Sequence, residues 1–221
     1  MKITIIGGTG LIGMQLIKQA CADHYFTKIN VIVRKSIAFK DPKINELVID
    51  FADLSSVIKE TVGDVLVCTL GTTRKTTPDK KNYREIDLTY TLISAKGALE
   101  NGHKQVHLIS SIGANENSAV FYPALKGEIE RLVSQLPFLS TYIYRPSVLL
   151  GQRKSFRFFE YLSKGILFLL YPFLIGSLSK YRGISAEKVA QKILFEIKNN
   201  KPGIQIVESN DIKLDNIKKT E

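Results

Sequence analysis

Cysteine is scarce in this chain. Its 221 residues include two, Cys21 and Cys68, far apart in sequence, with Cys68 inside an apolar run. Both read as reduced, unpaired thiols, which excludes a disulfide-stapled scaffold. Histidine is nearly as rare, and His24, His103 and His107 form no metal-ligand spacing with the cysteines, so no metal site is expected. Long hydrophobic runs are missing too. The most membrane-like segment, GILFLLYPFLIG at 165–176, is 12 residues long and interrupted by Pro172, against the roughly 20 needed to span a bilayer. It is expected to form a buried or substrate-covering helix. The other option is contact with a protein partner or an anionic membrane surface, which the nearby Arg153, Lys154, Arg157 and Lys164 suit. The opening residues MKITII run straight into a glycine-rich turn and leave no room for a signal peptide. The cytoplasm is therefore the expected location, with peripheral membrane contact as a variant.

What is present suits a well-packed core. Apolar residues make up 44% and charged residues 24%, while seven prolines and 15 glycines are ordinary usage. Lys and Arg number 31 against 21 Asp and Glu, a net charge of +10. That balance suits an anionic cofactor or nucleic acid, or serves solubility alone. A basic stretch holds Arg74, Lys75, Lys80, Lys81 and Arg84, but no segment presents a recognition helix, so direct nucleic-acid binding is not expected.

Short β-rich runs alternate with helical spacing along the chain. Strands are expected at Ile3–Ile6, Ile29–Val33, Glu46–Asp50, Asp64–Leu70, Val106–Ser110 and Leu139–Tyr144. Helices are expected at Leu11–Ala22, Leu54–Glu60, Tyr83–Asn101 and Leu125–Gln135. The fourth strand is continuously apolar, as a strand covered on both faces should be. This alternation predicts an α/β fold with a doubly wound, mostly parallel, Rossmann-like sheet. One domain over 1–221 is expected, with 145–221 contributing a small cap on the substrate side. That cap would include a helix at Ser185–Asn200 and a β segment at Ile204–Glu208.

The strongest local signal is Gly7-Gly8-Thr9-Gly10-Leu11-Ile12-Gly13, between the first strand and the first helix. Gly7 permits a tight turn, Gly10 lets backbone approach a pyrophosphate, and Gly13 lets the helix pack closely on the sheet. Amides at the helix start can then hold the phosphates. No Gly-Lys-Ser/Thr follows, which excludes a nucleoside-triphosphate loop. At the end of the second strand, where a carboxylate would select NAD, the chain has Arg34-Lys35. A guanidinium there favours the 2′-phosphate of NADP(H), with NAD(H) as the other option. Asp50-Phe51, after the third strand, suits the adenine, or Asp50 caps a helix.

A second constellation follows the fifth strand: Ser110-Ser111, then Tyr122 and Lys126, four apart and hence on one helical face. Ser110 is expected beside the cofactor and Ser111 at the carbonyl. Tyr122 would exchange the proton, and Lys126 would favour the phenolate and hold the nicotinamide ribose. The bland alternative is a packed tyrosine and a solvated lysine.

These residues carry a family resemblance. GGTGLIG at 7–13, VCTLGTTR at 67–74, HLISSIGAN at 107–115, FYPALKGEIE at 121–130 and YRPSVLLGQR at 144–153 resemble the short-chain dehydrogenase/reductase superfamily. More narrowly they resemble its atypical NAD(P)-binding group, which contains the Tat-interacting oxidoreductase-like and NmrA-type proteins and is related to NAD-dependent epimerases and dehydratases. The resemblance implies NADP(H) across the carboxyl ends of the strands and Ser111, Tyr122 and Lys126 as the reductase triad. It implies that Thr9, Leu11 and Ile12 line the phosphate turn. Leu70, Gly71, Thr72, Thr73 and Arg74 would pass near the nicotinamide-side phosphates or ribose, and Pro146, Ser147 and Val148 would border the nicotinamide. Standard members also use an Asn in the fourth helix. The Tyr83–Glu100 segment has none, and Asp87 is its nearest interior polar residue. The expected function is an NADP-dependent oxidoreductase acting on a small or medium carbonyl, alcohol or sugar-like substrate. The alternative is a cofactor-sensing regulatory or assembly protein with little turnover.

Overall fold

The computed structural model describes residues 1–150 and 183–213. The apolar segment 165–176 and its flanking basic residues lie outside them. β1 (Lys2–Ile6) buries every residue after Lys2. It leads through the glycine turn into α1 (Leu11–Ala22), whose Ile12, Leu16, Ile17 and Ala20 form the buried stripe that helical spacing predicts. β2 (Lys28–Val33), β3 (Ile44–Val48), a 3₁₀ turn at Phe51–Asp53, α2 (Leu54–Glu60) and β4 (Val65–Cys68) follow. α3 (Lys80–Arg84) then runs through a π turn, Glu85–Thr89, into α4 (Tyr90–Glu100). Next come β5 (Gln105–Ile109), α5 (Phe121–Ser134), β6 (Ser140–Arg145), β7 (Leu149–Leu150) and β8 (Ile184–Ser185). The described chain closes with α6 (Ala186–Lys198), β9 (Gly203–Glu208) and α7 (Ser209–Lys213).

Seven strands form one sheet in the order β3-β2-β1-β4-β5-β6-β9, and every pairing is parallel. α1 and α6 pack together on one face, while α2, α4 and α5 cover the other. β4 is buried at all four positions, as two covered faces require. The order reverses between β1 and β4, so the chains leaving those two strands diverge and open a crevice at their carboxyl ends. No helix among the described residues is long and apolar enough to cross a membrane. Cys21 and Cys68 are unpaired and buried, and burial pushes their thiols up to about 11 and about 12.

Several boundaries differ from expectation for physical reasons. β3 lies two residues earlier than expected, because its pairing with β2 starts at Ile44. The helix expected from Tyr83 starts at Lys80, where the Asp79 carboxylate accepts the Asn82 N–H at 2.8 Å. α5 starts at Phe121, with Pro123 tolerated in its first turn. The β segment expected in a cap is instead the edge strand of the sheet. β9 pairs with β6 from Ser140↔Gly203 to Arg145↔Glu208, and its Ile204 and Ile206 stay half exposed. Half-covered edge positions break the continuous apolar run that marked the inner strands.

One buried group makes the fold pH-sensitive. His107 on β5 is fully buried, stacks on the Tyr142 ring with centroids 4.7 Å apart, and places Nδ1 2.9 Å from the Tyr144 hydroxyl. Desolvation lowers its pKa from 6.5 to about 3. The unfolded chain therefore takes up a proton that the folded chain refuses, and stability falls as pH drops from about 6.5 toward 3, by about 1.4 kcal/mol per pH unit. Urea unfolding of His107→Gln at pH 7 and pH 5 should show a smaller pH difference than the parent. An equal difference in both proteins would contradict this assignment.

Candidate active site

The crevice is built from backbone first. Gly7 has a φ of 87° and its missing Cβ would lie 2.7 Å from the Thr69 hydroxyl, so only glycine fits. Thr69, just beyond β4, donates to the Ile6 carbonyl at 2.9 Å, with the Gly7 carbonyl at 3.0 Å. The Gly10 N–H closes the turn on the Gly7 carbonyl at 2.9 Å. Gly10 is the N-cap of α1; no side chain caps that end, and no acid occupies its first turn. A Cβ on Gly13 would collide with the Gly7 carbonyl and lie 2.9 Å from the Gly8 Cα, so glycine there lets α1 seat against the turn. The outcome is a helix N-terminus with amides and positive dipole facing the crevice, a ready anion site.

Two adjoining clefts extend from this point. The larger runs past Gly7, Thr9 and Gly10 to Arg34, Lys35 and Phe51. Leu70, Gly71 and Thr72 form its other wall. The Arg34 guanidinium lies over the Phe51 ring, 5.4 Å from its centroid, and Phe51 is itself buried edge-on against Tyr90. Asp50 lines neither cleft: its carboxylate accepts the Ala52 N–H at 3.0 Å and caps the 3₁₀ turn. Arg74 is exposed and lines neither cleft. Gly13 is buried behind the turn.

The second cleft is floored by Gly10, Leu11 and Ile12. Ser110 and Ser111 enter it from the end of β5, Tyr122 and Lys126 from α5, and Pro146 and Val148 from beyond β6. The two clefts share Gly10, Thr69 and Thr73. Tyr122 and Lys126 do share one helical face, with the ammonium 5.9 Å from the ring centroid. Lys126 is buried, 3.1 Å from Asp87 Oδ2 and 3.5 Å from the Ile109 carbonyl. Asp87 Oδ1 accepts the Thr72 N–H at 2.8 Å. The Ser111 hydroxyl donates to the Ile112 carbonyl at 3.1 Å. Ser110 differs, because its hydroxyl donates to the buried Glu130 carboxylate. Glu130 is held by Arg145 at 2.6 Å, and its hydrogen bonds are the main cause raising the Arg145 guanidinium above its ordinary value.

Sequence reasoning passed over Thr69, which touches both clefts, and Leu149, which lines the second. A hydroxyl directly after a buried strand was a signal for Thr69. Its meaning depends on β4 lying beside β1, which strand order along the chain does not reveal.

A doubly wound parallel sheet with a glycine turn at its switch point is a Rossmann-like fold. No family model matches the chain. It is 36% identical over 160 residues to the mitochondrial protein FMP52 of Candida albicans, covering 70% of each chain. It is 34% identical over 167 residues to HTATIP2 of Rattus norvegicus, covering 74% of this chain and 69% of that protein. The chain belongs to this FMP52 and HTATIP2 family. In fold it is similar to MoeE5, solved with UDP-glucuronic acid and NAD, with a TM-score of 0.70 and 13% identity over 94% of this chain and 75% of that one. The expectation of a cytoplasmic location is overturned here: FMP52 relatives from several yeasts are named mitochondrial.

The loop after β5 is keyed into α5 at Gly127. A Cβ there would overlap the Glu116 amide and the Asn115 backbone. The same loop donates the Asn115 N–H to the Pro123 carbonyl at 3.0 Å and pairs Glu116 with Arg131 at 2.6 Å. Ser111 is thereby held in register with Tyr122 and Lys126. Gly127→Ala should lower stability by about 1–3 kcal/mol through overpacking, read from urea unfolding. An unchanged midpoint would show that the loop yields freely.

Proposed function

We propose that the chain is an NADP(H)-dependent oxidoreductase acting on a small or medium carbonyl or alcohol, sugar-like substrates included. The supporting observation is the paired cleft: α1 opens at its centre, Arg34 and Lys35 stand at one end, and Ser111, Tyr122 and Lys126 stand at the other. The residues present fit a dinucleotide. Backbone without side chains approaches the helix start, no carboxylate stands in its first turn, and two cations line the larger cleft. Gly10, Leu11 and Ile12 would hold the diphosphate, Arg34 and Lys35 the 2′-phosphate, and Lys126 the nicotinamide ribose. When bound, the nicotinamide supplies or accepts the hydride.

The chain's own residues handle the proton. The Tyr122 phenol gives it to the carbonyl oxygen in reduction, and the phenolate takes it from the alcohol in oxidation. Ser111, turned from the Ile112 carbonyl, donates a hydrogen bond to that same oxygen. The Lys126 ammonium lies buried beside the Tyr122 ring, 5.9 Å from its centroid. A mitochondrial location, carried over from the FMP52 relatives, belongs to the same proposal.

Two substitutions test it. Arg34→Ala should weaken NADPH binding about 10- to 100-fold, the worth of a charge-assisted hydrogen bond, and leave NADH nearly unchanged; equal losses would reject the 2′-phosphate role. Tyr122→Phe should lower kcat for carbonyl reduction by about 10²- to 10⁴-fold with NADPH affinity kept. NADPH binding with no change in nicotinamide absorbance on any carbonyl would instead favour a cofactor-sensing protein.

A further inference from the structure

Asp87 sits in the π turn between α3 and α4, with its side chain 1% exposed. An extra residue in a helical turn re-aims the side chains it carries, and here the carboxylate meets α5. The Thr72 N–H donates to its Oδ1 at 2.8 Å, and the Lys126 ammonium forms an ion pair with its Oδ2 at 3.1 Å. A carboxylate accepts on both oxygens, whereas an amide would turn its NH₂ group toward one of the two donors. An Asn at this position would thus leave Thr72 or Lys126 facing a second donor. The cation beside Tyr122 is one half of a buried ion pair.

We infer that Asp87 is a positioning residue that fixes the Lys126 ammonium beside Tyr122 and opposes its charge. The inference rests on the roles proposed above for Tyr122 and Lys126. An ammonium near a phenol favours the phenolate, and a carboxylate on that ammonium opposes this effect. Other described groups also lie near Tyr122. From the Lys80–Glu100 helix comes the Tyr83 ring, 6.4 Å away, its hydroxyl donating to the Thr72 carbonyl at 2.9 Å. Lys80 lies over the adjacent Phe121 ring at 5.5 Å. Arg84 and Glu128 neutralise each other at 2.8 Å. Ser111 and Ser147, which reach the same cleft from the segments after β5 and β6, carry no charge. Through Thr72 the same carboxylate also ties the wall of the larger cleft to the lysine of the smaller one.

The test follows tyrosinate ultraviolet absorbance of the full chain, with Tyr122→Phe as the reference that assigns the Tyr122 signal. In Asp87→Asn the midpoint of Tyr122 phenolate formation should fall by about one pH unit relative to the parent. The acid limb of alcohol oxidation should move the same way. An unchanged midpoint in folded D87N overturns the inference. A shifted midpoint without turnover on any carbonyl would reject the oxidoreductase reading and leave the Asp87–Lys126 pairing standing; turnover with no shift would do the reverse. If D87N does not fold, the pair D87N/K126M replaces it, because Met removes the cation and the second donor together. The double variant should then withstand more urea than K126M, which leaves Asp87 buried without its counter-ion, and a double variant no more stable than K126M overturns the pairing.

Discussion

The contact between the glycine turn and the end of β4 governs the rest of the molecule. Gly7 can lie against the Thr69 backbone because neither a side chain nor an ordinary backbone angle intervenes. Thr69 in turn fixes the turn's carbonyls by its hydroxyl. With the turn held there, the start of α1 points into the gap between β1 and β4. Both clefts inherit their position from that point. A parallel sheet reversing its strand order would open a gap in any case. The uncapped helix makes this gap favourable for an anion rather than merely hollow.

Two ion pairs flank the site, one partly buried and one fully buried, and have different effects. Glu130 and Arg145 tie the end of β6 to α5, with Glu208 extending the link to β9 at 3.0 Å. Ser110 is drawn into that network and its hydroxyl turns from the open cleft. Asp87 and Lys126 lie on the other side, where the ammonium faces the Tyr122 ring. Buried pairs of this kind add little net stability over apolar packing, yet lose much when one partner goes. Their value here is positional, because each fixes a side chain or strand end that borders the crevice.

The fold was legible where burial was complete. β1, β4 and β5 are covered on both faces, so their apolar runs stand out, and the glycine turn declares itself by spacing. Edges were harder. β9 exposes Ile204 and Ile206 and sits beside β6 only after a long connection, so pattern placed it in a cap. In the site, Tyr122 and Lys126 were readable because four residues make one helical face. Asp50 was ambiguous because a carboxylate before a helical turn serves as a cap as readily as a ligand partner. Arg74 followed a family pattern that says nothing about where a solvated loop side chain points. The partnership of Asp87 with Lys126 depends on a π turn, which shifts the helical period by one residue and leaves no signature in composition.

The central claim is that a dinucleotide lies across the start of α1, and backbone amide shifts report on it directly. In a titration of the full chain with NADPH, the largest ¹H–¹⁵N changes should appear at Gly10, Leu11 and Ile12, with Thr69 to Thr73 and Arg34 moving alongside. Saturating NADPH that leaves the Gly10–Ile12 amides unmoved would contradict the account.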